Sequence, residues 1–250
     1  MDSTSAGPER EHGIACGAML YDGSRMDQPD DAVFEAGHWA LRGALESVVG
    51  GRGSVAFVRD GGRRWVIRHY RRGGLVASLL GDRYLYRGAA RTRSYAEWRL
   101  LRQLREWNLP VPAPVAARYL RSGAFYRADL ITEELPTRLT LAQALARGPL
   151  DRGTWIAVGR CVAALHARGV EHADLNAHNL LVGDDGSVYV LDFDRGRIRG
   201  RGAWEGRVLD RLARSLRKVA RGLPSGRYGD PEWRALLDGV SGQPGADRHP

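Results

Sequence analysis

Apolar and polar positions change period several times along the chain, and each change predicts an element. Trp65-Val66-Ile67, closed by Arg68, reads as a strand, with Asp60-Gly61-Gly62 turning the chain just ahead of it. Tyr95, Trp98, Leu101 and Leu104 recur at helical spacing, and Ser94-Tyr95-Ala96-Glu97 reads as a capping box opening that helix. Asn108-Leu109-Pro110-Val111-Pro112-Ala113-Pro114 breaks it. Strands are expected near 116–120 and 125–132, a helix from Leu139, and a second helix from Thr154 to Arg168 that Gly169 ends. Leu180-Leu181-Val182 and Val188-Tyr189-Val190-Leu191 flank Asp184-Asp185-Gly186-Ser187, a hairpin pattern. Val208, Leu209, Leu212, Leu216 and Val219 form one side of a helix over 207–221 whose other faces are basic, a pattern read as a core-packed helix with a solvated charged face. From Gly13 to Trp39 the pattern is mixed, with a turn at Pro29-Asp30-Asp31. Residues 1–13 read as a flexible tail, and from Gly239 the chain loosens into a tail at 241–250.

Composition narrows the class. The 250 residues suffice for one large domain or two lobes, and 43% hydrophobic with 27% charged residues marks a folded rather than a disordered chain. Cys16 and Cys161 make no disulfide framework and suggest a reducing compartment. No apolar run reaches the roughly 18 residues of a membrane span. The first residues lack the basic start and apolar stretch of a secretory signal. A formal charge of +9 calls for an anionic partner: nucleic acid, acidic lipid or a phosphorylated substrate. Lys218 is the only lysine, and part of the arginine excess follows from GC-rich codon usage.

The chemistry concentrates in Val170–Asp194. His172-Ala173-Asp174-Leu175-Asn176-Ala177-His178-Asn179 is followed, thirteen residues after Asn179, by Asp192 in Leu191-Asp192-Phe193-Asp194. This matches H-x-D-L-x-x-x-N with a later D-F-x, the core of a protein-kinase-like phosphotransferase. Asp174 is placed to accept or orient the proton of an acceptor hydroxyl; Asn179 and Asp192 would hold Mg²⁺ against ATP phosphates. His172 is read as a structural buttress. Asn176 and His178 are ordinary turn residues or participants, and the pattern does not decide which.

Upstream, Gly50-Gly51-Arg52-Gly53-Ser54-Val55-Ala56 resembles a phosphate-covering loop, with Gly51, Gly53 and Ser54 as nucleotide-binding candidates. A plain glycine-rich hairpin gives the same string. Arg68 occupies the place of the strand-borne lysine of kinases, where its planar fork keeps the charge. Glu97 either pairs with Arg68 or caps its own helix. Glu133-Glu134-Leu135-Pro136 reads as a hinge, with Glu133 and Leu135 offering backbone groups to adenine. Between Arg68 and Arg93 stand seven arginines against one acidic residue, interleaved with Tyr70, Tyr84 and Tyr86. The expected fold is α+β and bilobal: a β-rich N-lobe at 14–134 and a mainly helical C-lobe at 135–240, with catalytic Asp174, Arg68 and Glu97.

Arg68-His69-Tyr70-Arg71-Arg72-Gly73-Gly74-Leu75, Gly81-Asp82-Arg83-Tyr84, Glu97-Trp98-Arg99-Leu100-Leu101, Leu109-Pro110-Val111-Pro112 and the His172–Asn179 string carry a family resemblance. The chain resembles the 3-deoxy-D-manno-octulosonic acid (Kdo) kinases, within the lipopolysaccharide kinase branch of the protein-kinase-like superfamily. The resemblance runs from about Gly13 to Lys218. It implies ATP- and Mg²⁺-dependent phosphorylation of the 4-hydroxyl of Kdo on a lipid A precursor, by a peripheral protein at the cytoplasmic face of the inner membrane. The arginine–tyrosine segment suits such a surface. Arg68 for lysine, Ala56 for glycine, Asp194 for the glycine of D-F-G, and the lack of an A-P-E segment depart from protein kinases. A heptose kinase, a soluble aminoglycoside-like kinase, and a non-enzymatic pseudokinase or nucleic-acid module stand as rivals. No nucleic-acid motif backs the charge, so nucleic acid is not an expected partner.

Overall fold

The computed structural model describes residues 7–50, 55–71 and 81–242, and within them the chain forms two compact units. The first takes residues up to Asn108 and Pro112–Glu134; the second takes Leu109–Val111 and the chain from Leu135. The class is α+β, β-rich in the first unit and mainly helical in the second.

The first unit is built on an antiparallel sheet. Its strands are β1 (Glu9–Ile14), β2 (Gly17–Asp22), β3 (Leu45–Val49), β4 (Val55–Asp60), β5 (Arg63–His69), β6 (Tyr84–Leu85), β7 (Pro114–Ser122) and β8 (Phe125–Glu133). The order is β1-β2-β7-β8-β5-β4-β3, with β6 pairing along β8. Gly61 and Gly62, at φ +53° and +85°, make the β4–β5 turn, as a tight hairpin with two left-handed positions requires. Alternation sorts the side chains of β5. Trp65 and Ile67 are buried against Val58 and Ala56 in a core shared with Met19, Phe34 and Trp39, while Val66 and Arg68 point to the opposite face. Helix α1 (Ala36–Leu41) contributes Trp39, which stands edge-on to Trp65 at 5.8 Å.

Helix α2 (Arg93–Glu106) buries Tyr95, Trp98, Leu101 and Leu104, the stripe expected from their spacing. The expected capping box is not formed. The helix starts at Arg93 after Thr92, so Ser94 lies inside it, and its hydroxyl donates to the carbonyl of Arg118. The tail expectation for residues 1–13 is also corrected, since 9–14 form β1, paired along its length with β2.

The second unit contains α3 (Leu141–Arg147), α4 (Arg152–Ala167), β9 (Val170–Glu171), β10 (Leu180–Val182), β11 (Val188–Val190), β12 (Arg197–Ile198), α5 (Trp204–Ala220) and α6 (Asp230–Ser241). Thr140 and Gln143 close a capping box on α3, and Asp151 caps α4. Gly169 ends α4 at φ +71°, and β9 then pairs with β12. Helices α4 and α6 touch backbone to backbone. A Cβ on Gly159 would lie 2.0 Å from the carbonyl oxygen of Leu236, and one on Gly239 would lie 2.2 Å from that of Ile156. Gly239 is therefore a packing residue inside a helix, and the expected loosening of the chain there is corrected: α6 continues through Ser241.

Candidate active site

In the second unit, backbone pairing shapes the loop before β10. His172 is 2% exposed; its Nδ1 accepts from the amide of Asp174 at 3.2 Å and its Nε2 faces the carbonyl of Leu191 at 2.8 Å. Nδ1 as acceptor requires the proton on Nε2, so a neutral imidazole ties the loop to the residue before Asp192. The ring also stands edge-on to Phe193 at 4.8 Å, which props the loop against the residue after Asp192. Asn179 donates from Nδ2 to the Asp174 carbonyl at 3.0 Å, and its own carbonyl accepts from the Leu191 amide at 2.9 Å. Asn176 donates to the same Asp174 carbonyl at 2.9 Å and accepts from the His178 amide at 2.8 Å, which is turn-building.

The β10–β11 hairpin then returns the chain. Asp185 accepts from the Ser187 amide and hydroxyl, and Gly186 supplies a φ of +78°. Asp192 follows β11 at φ +62°, a left-handed conformation that aspartate tolerates better than most residues. Asp174, Asn179 and Asp192 all border one open pocket of about 660 Å³. The donor set suits a hard cation. The Asn179 amide nitrogen is engaged, which leaves its oxygen as the end available to a cation, and the Asp192 carboxylate borders the same space. These two oxygen donors would suit Mg²⁺ better than a softer metal. Among the described residues no group of three or more His, Cys, Asp or Glu forms a metal cage.

Helix α5 borders the same pocket, which the sequence reading did not anticipate. Ser215 accepts from the amide of Ala177 at 3.1 Å, docking the helix onto the loop. Arg211 donates to the carbonyl of Ala173 and stands 3.8 Å from the carboxylate of Asp174. Arg214 and Lys218 border the pocket as well. The available signal was a 211–214–218 spacing, one stripe of the helix, beside a serine among leucines.

In the first unit, the alternative left open for Glu97 is decided by geometry. Arg68 Nη2 lies 2.5 Å from Glu97 Oε2, and the Tyr70 hydroxyl donates to the same oxygen at 2.5 Å. Tyr70, two residues after Arg68 and just past the end of β5, was not singled out for this site. Its ring lies under the Arg68 guanidinium at 4.7 Å. Tyr70 and Tyr84 are buried, with Arg93 over the Tyr84 ring at 4.7 Å, so these tyrosines are internal and not turned to a membrane surface. Arg71, Arg83, Arg87 and Arg91 are exposed. Gly51, Gly53 and Ser54 lie outside the described residues. Glu133 ends β8; its amide donates to the Ala113 carbonyl at 2.8 Å and its carboxylate pairs with Arg25 at 2.9 Å. Leu135 is the first residue of the second unit's long stretch.

Comparison with known proteins decides the family. Residues 37–238 match the model of the lipopolysaccharide kinase (Kdo/WaaP) family. The chain belongs to the lipopolysaccharide kinase (Kdo/WaaP) family. It is 46% identical over 215 residues to a 3-deoxy-D-manno-octulosonic acid kinase of Stenotrophomonas maltophilia (strain K279a), covering 85% of this chain and 84% of that one. It is 43% identical over 239 residues to a protein of the same name from Xanthomonas oryzae pv. oryzae (strain PXO99A), covering 94% of each. A third, from Xanthomonas campestris pv. campestris (strain 8004), is 44% identical over 222 residues, covering 87% of each. Membership makes the chain a phosphotransferase with an alcohol acceptor.

Proposed function

We propose that this lipopolysaccharide-family kinase transfers the terminal phosphoryl group of ATP to the 4-hydroxyl of a Kdo residue on a lipid A precursor. The observation that carries the reading is the convergence of Asp174, Asn179 and Asp192 on one pocket, held in register by His172. The names of the relatives supply the acceptor class. Asp174 accepts the proton of the attacking hydroxyl, or orients it, as the bond to phosphorus forms. Asn179 and Asp192 would hold Mg²⁺, which would supply neutralisation of charge on the phosphate oxygens. Arg68, fixed by Glu97 and Tyr70, presents a directed cation to phosphate oxygens.

A peripheral location at the cytoplasmic face of the inner membrane belongs to the same proposal, since the acceptor is a glycolipid. Among the described residues no helix is long and apolar enough to cross a membrane. Support for surface contact is the exposed Arg83 and Arg87 on either side of exposed Leu85, a pairing of charge and apolar surface suited to acidic head groups. Incubation with labelled ATP, Mg²⁺ and a Kdo-bearing lipid A precursor, followed by mass analysis of the lipid, tests the function. One added phosphate supports it. A phosphate accepted only by a heptose-extended lipid would move the chain to heptose kinases, and none on either lipid would overturn the acceptor assignment.

A further inference from the structure

The stripe Arg211, Arg214 and Lys218 has no structural task that explains all three. The buried side of α5 is made by Trp204, Val208, Leu212, Ala213 and Leu216, and Ser215 already ties the helix to the catalytic loop. The three cations are exposed, yet they border the pocket that holds Asp174, Asn179 and Asp192. Two of the three metal-and-base residues there are carboxylates, so against three cations the pocket keeps a net positive charge before any metal enters. Arg211 stands 3.8 Å from Asp174 Oδ1. Exposed cations in excess of the carboxylates they border suit an anion delivered with the substrate.

We propose that Arg214 and Lys218, with Arg211, form the acceptor subsite and receive the carboxylate of the sugar acid whose hydroxyl is phosphorylated. This rests on the kinase reading above. Arg211, bound to the Ala173 carbonyl, acts as the positioning member, holding the subsite against the loop that carries Asp174. Arg214 offers a planar fork to both carboxylate oxygens, and Lys218 a point charge. The stripe also selects against polycationic acceptors such as aminoglycosides, which it would repel.

The test uses the full-length enzyme with Arg214→Gln and Lys218→Met variants, each checked for an unchanged thermal melt. The KM for the Kdo-bearing acceptor should rise by about tenfold or more in each variant, while the KM for ATP stays within about twofold. An acceptor whose Kdo carboxylate is methyl-esterified should be poor for the wild-type enzyme, with the variants discriminating far less between acid and ester. A second readout does not need turnover. Lys218 is the only lysine, so acetylation followed by peptide mapping reports on one side chain. Free Kdo should protect Lys218, and ATP without acceptor should not. A rise in KM confined to ATP, or protection by ATP alone, would assign the cations to the donor phosphates and overturn the subsite. Protection by neither would make the stripe a solvated face and overturn it as well. If wild-type enzyme phosphorylates no Kdo lipid, the kinase assignment to Kdo fails, and the footprint still decides whether a sugar acid binds here.

Discussion

Arg68 Nη2 and Glu97 Oε2 lie 2.5 Å apart, and the Glu97 side chain is 2% exposed while that of Arg68 is 25% exposed. One partner is thus sealed in and the other reaches outward. Tyr70 donates to the same carboxylate oxygen. Together these contacts fix the direction of a cation that lysine, with a single flexible amine, would hold less well.

Removing Arg68 strands a buried carboxylate, so Arg68→Ala should cost roughly 2–4 kcal/mol of stability, near the range for breaking a buried ion pair. It should also raise the KM for ATP and lower kcat together. Arg68→Lys should rescue incompletely. Glu97→Ala should cost less, and the double variant less than the sum of the singles. A strictly additive cycle in denaturant melts and kinetics would show that the pair is not a functional unit.

His69 sits between two carboxylates, with Nδ1 2.6 Å from Asp129 and Nε2 3.0 Å from Asp82. Ionised carboxylates only accept, so both ring nitrogens must donate, which favours imidazolium. The hydrogen bond to Asp129 raises the pKa above its usual 6.5 despite partial burial, with the charges of Asp129 and Asp82 adding to it. Arg118 lies 2.7 Å from Asp129 and Arg127 3.3 Å from Asp82, so the carboxylates are shared with other cations. A raised folded pKa gives stability that is complete below about 6.5 and lost as pH rises through the folded value. Urea melts from pH 6 upward should show that decline in the wild-type chain and a flatter profile in His69→Gln. Parallel profiles would exclude a charged His69.

Asp192 combines a proposed metal ligand with a left-handed backbone. Asp192→Asn keeps a side chain that tolerates this conformation and removes the charge, whereas Asp192→Ala adds backbone strain. Nucleotide affinity should therefore fall in Asp192→Asn when Mg²⁺ is present and change little in its absence. Titration calorimetry giving equal losses in both conditions would point to folding damage instead of lost metal binding.

Gly239 meets the backbone of α4, with no room for a Cβ. Gly239→Ala should lower stability by about 1–3 kcal/mol through overpacking and leave the KM for ATP unchanged in the folded fraction. A variant that melts with the wild-type chain would mean that α6 can shift away freely.

The shape of the loop before β10 was readable from the chain because its geometry is local. His172, Asp174, Asn179 and Leu191 meet through backbone groups within twenty positions, and the β10–β11 turn between them carries its own turn chemistry. The β1–β2 hairpin was not readable, because β1 is an exposed strand whose Arg10, Glu11 and His12 lack apolar alternation, and pairing with β2 alone defines it. Ser94 and Glu97 mimic a capping box because a three-residue spacing also places two side chains on one buried helix face. Gly239 looked like a loop residue for a similar reason: a glycine demanded by helix contact carries no local mark of it. The basic stripe of α5 was seen but read as solvated, since only tertiary packing brings it to the loop.

Transfer to Kdo through Asp174 is tested by the position of the phosphate on the product lipid, compared between wild-type enzyme and Asp174→Ala at matched ATP saturation. Fragmentation mass spectrometry should place one phosphate at the Kdo 4-position for the wild-type enzyme. Turnover should fall by roughly 10²–10⁴ in the variant, with ATP affinity nearly intact. A phosphate on another sugar, or wild-type turnover from Asp174→Ala, would contradict it.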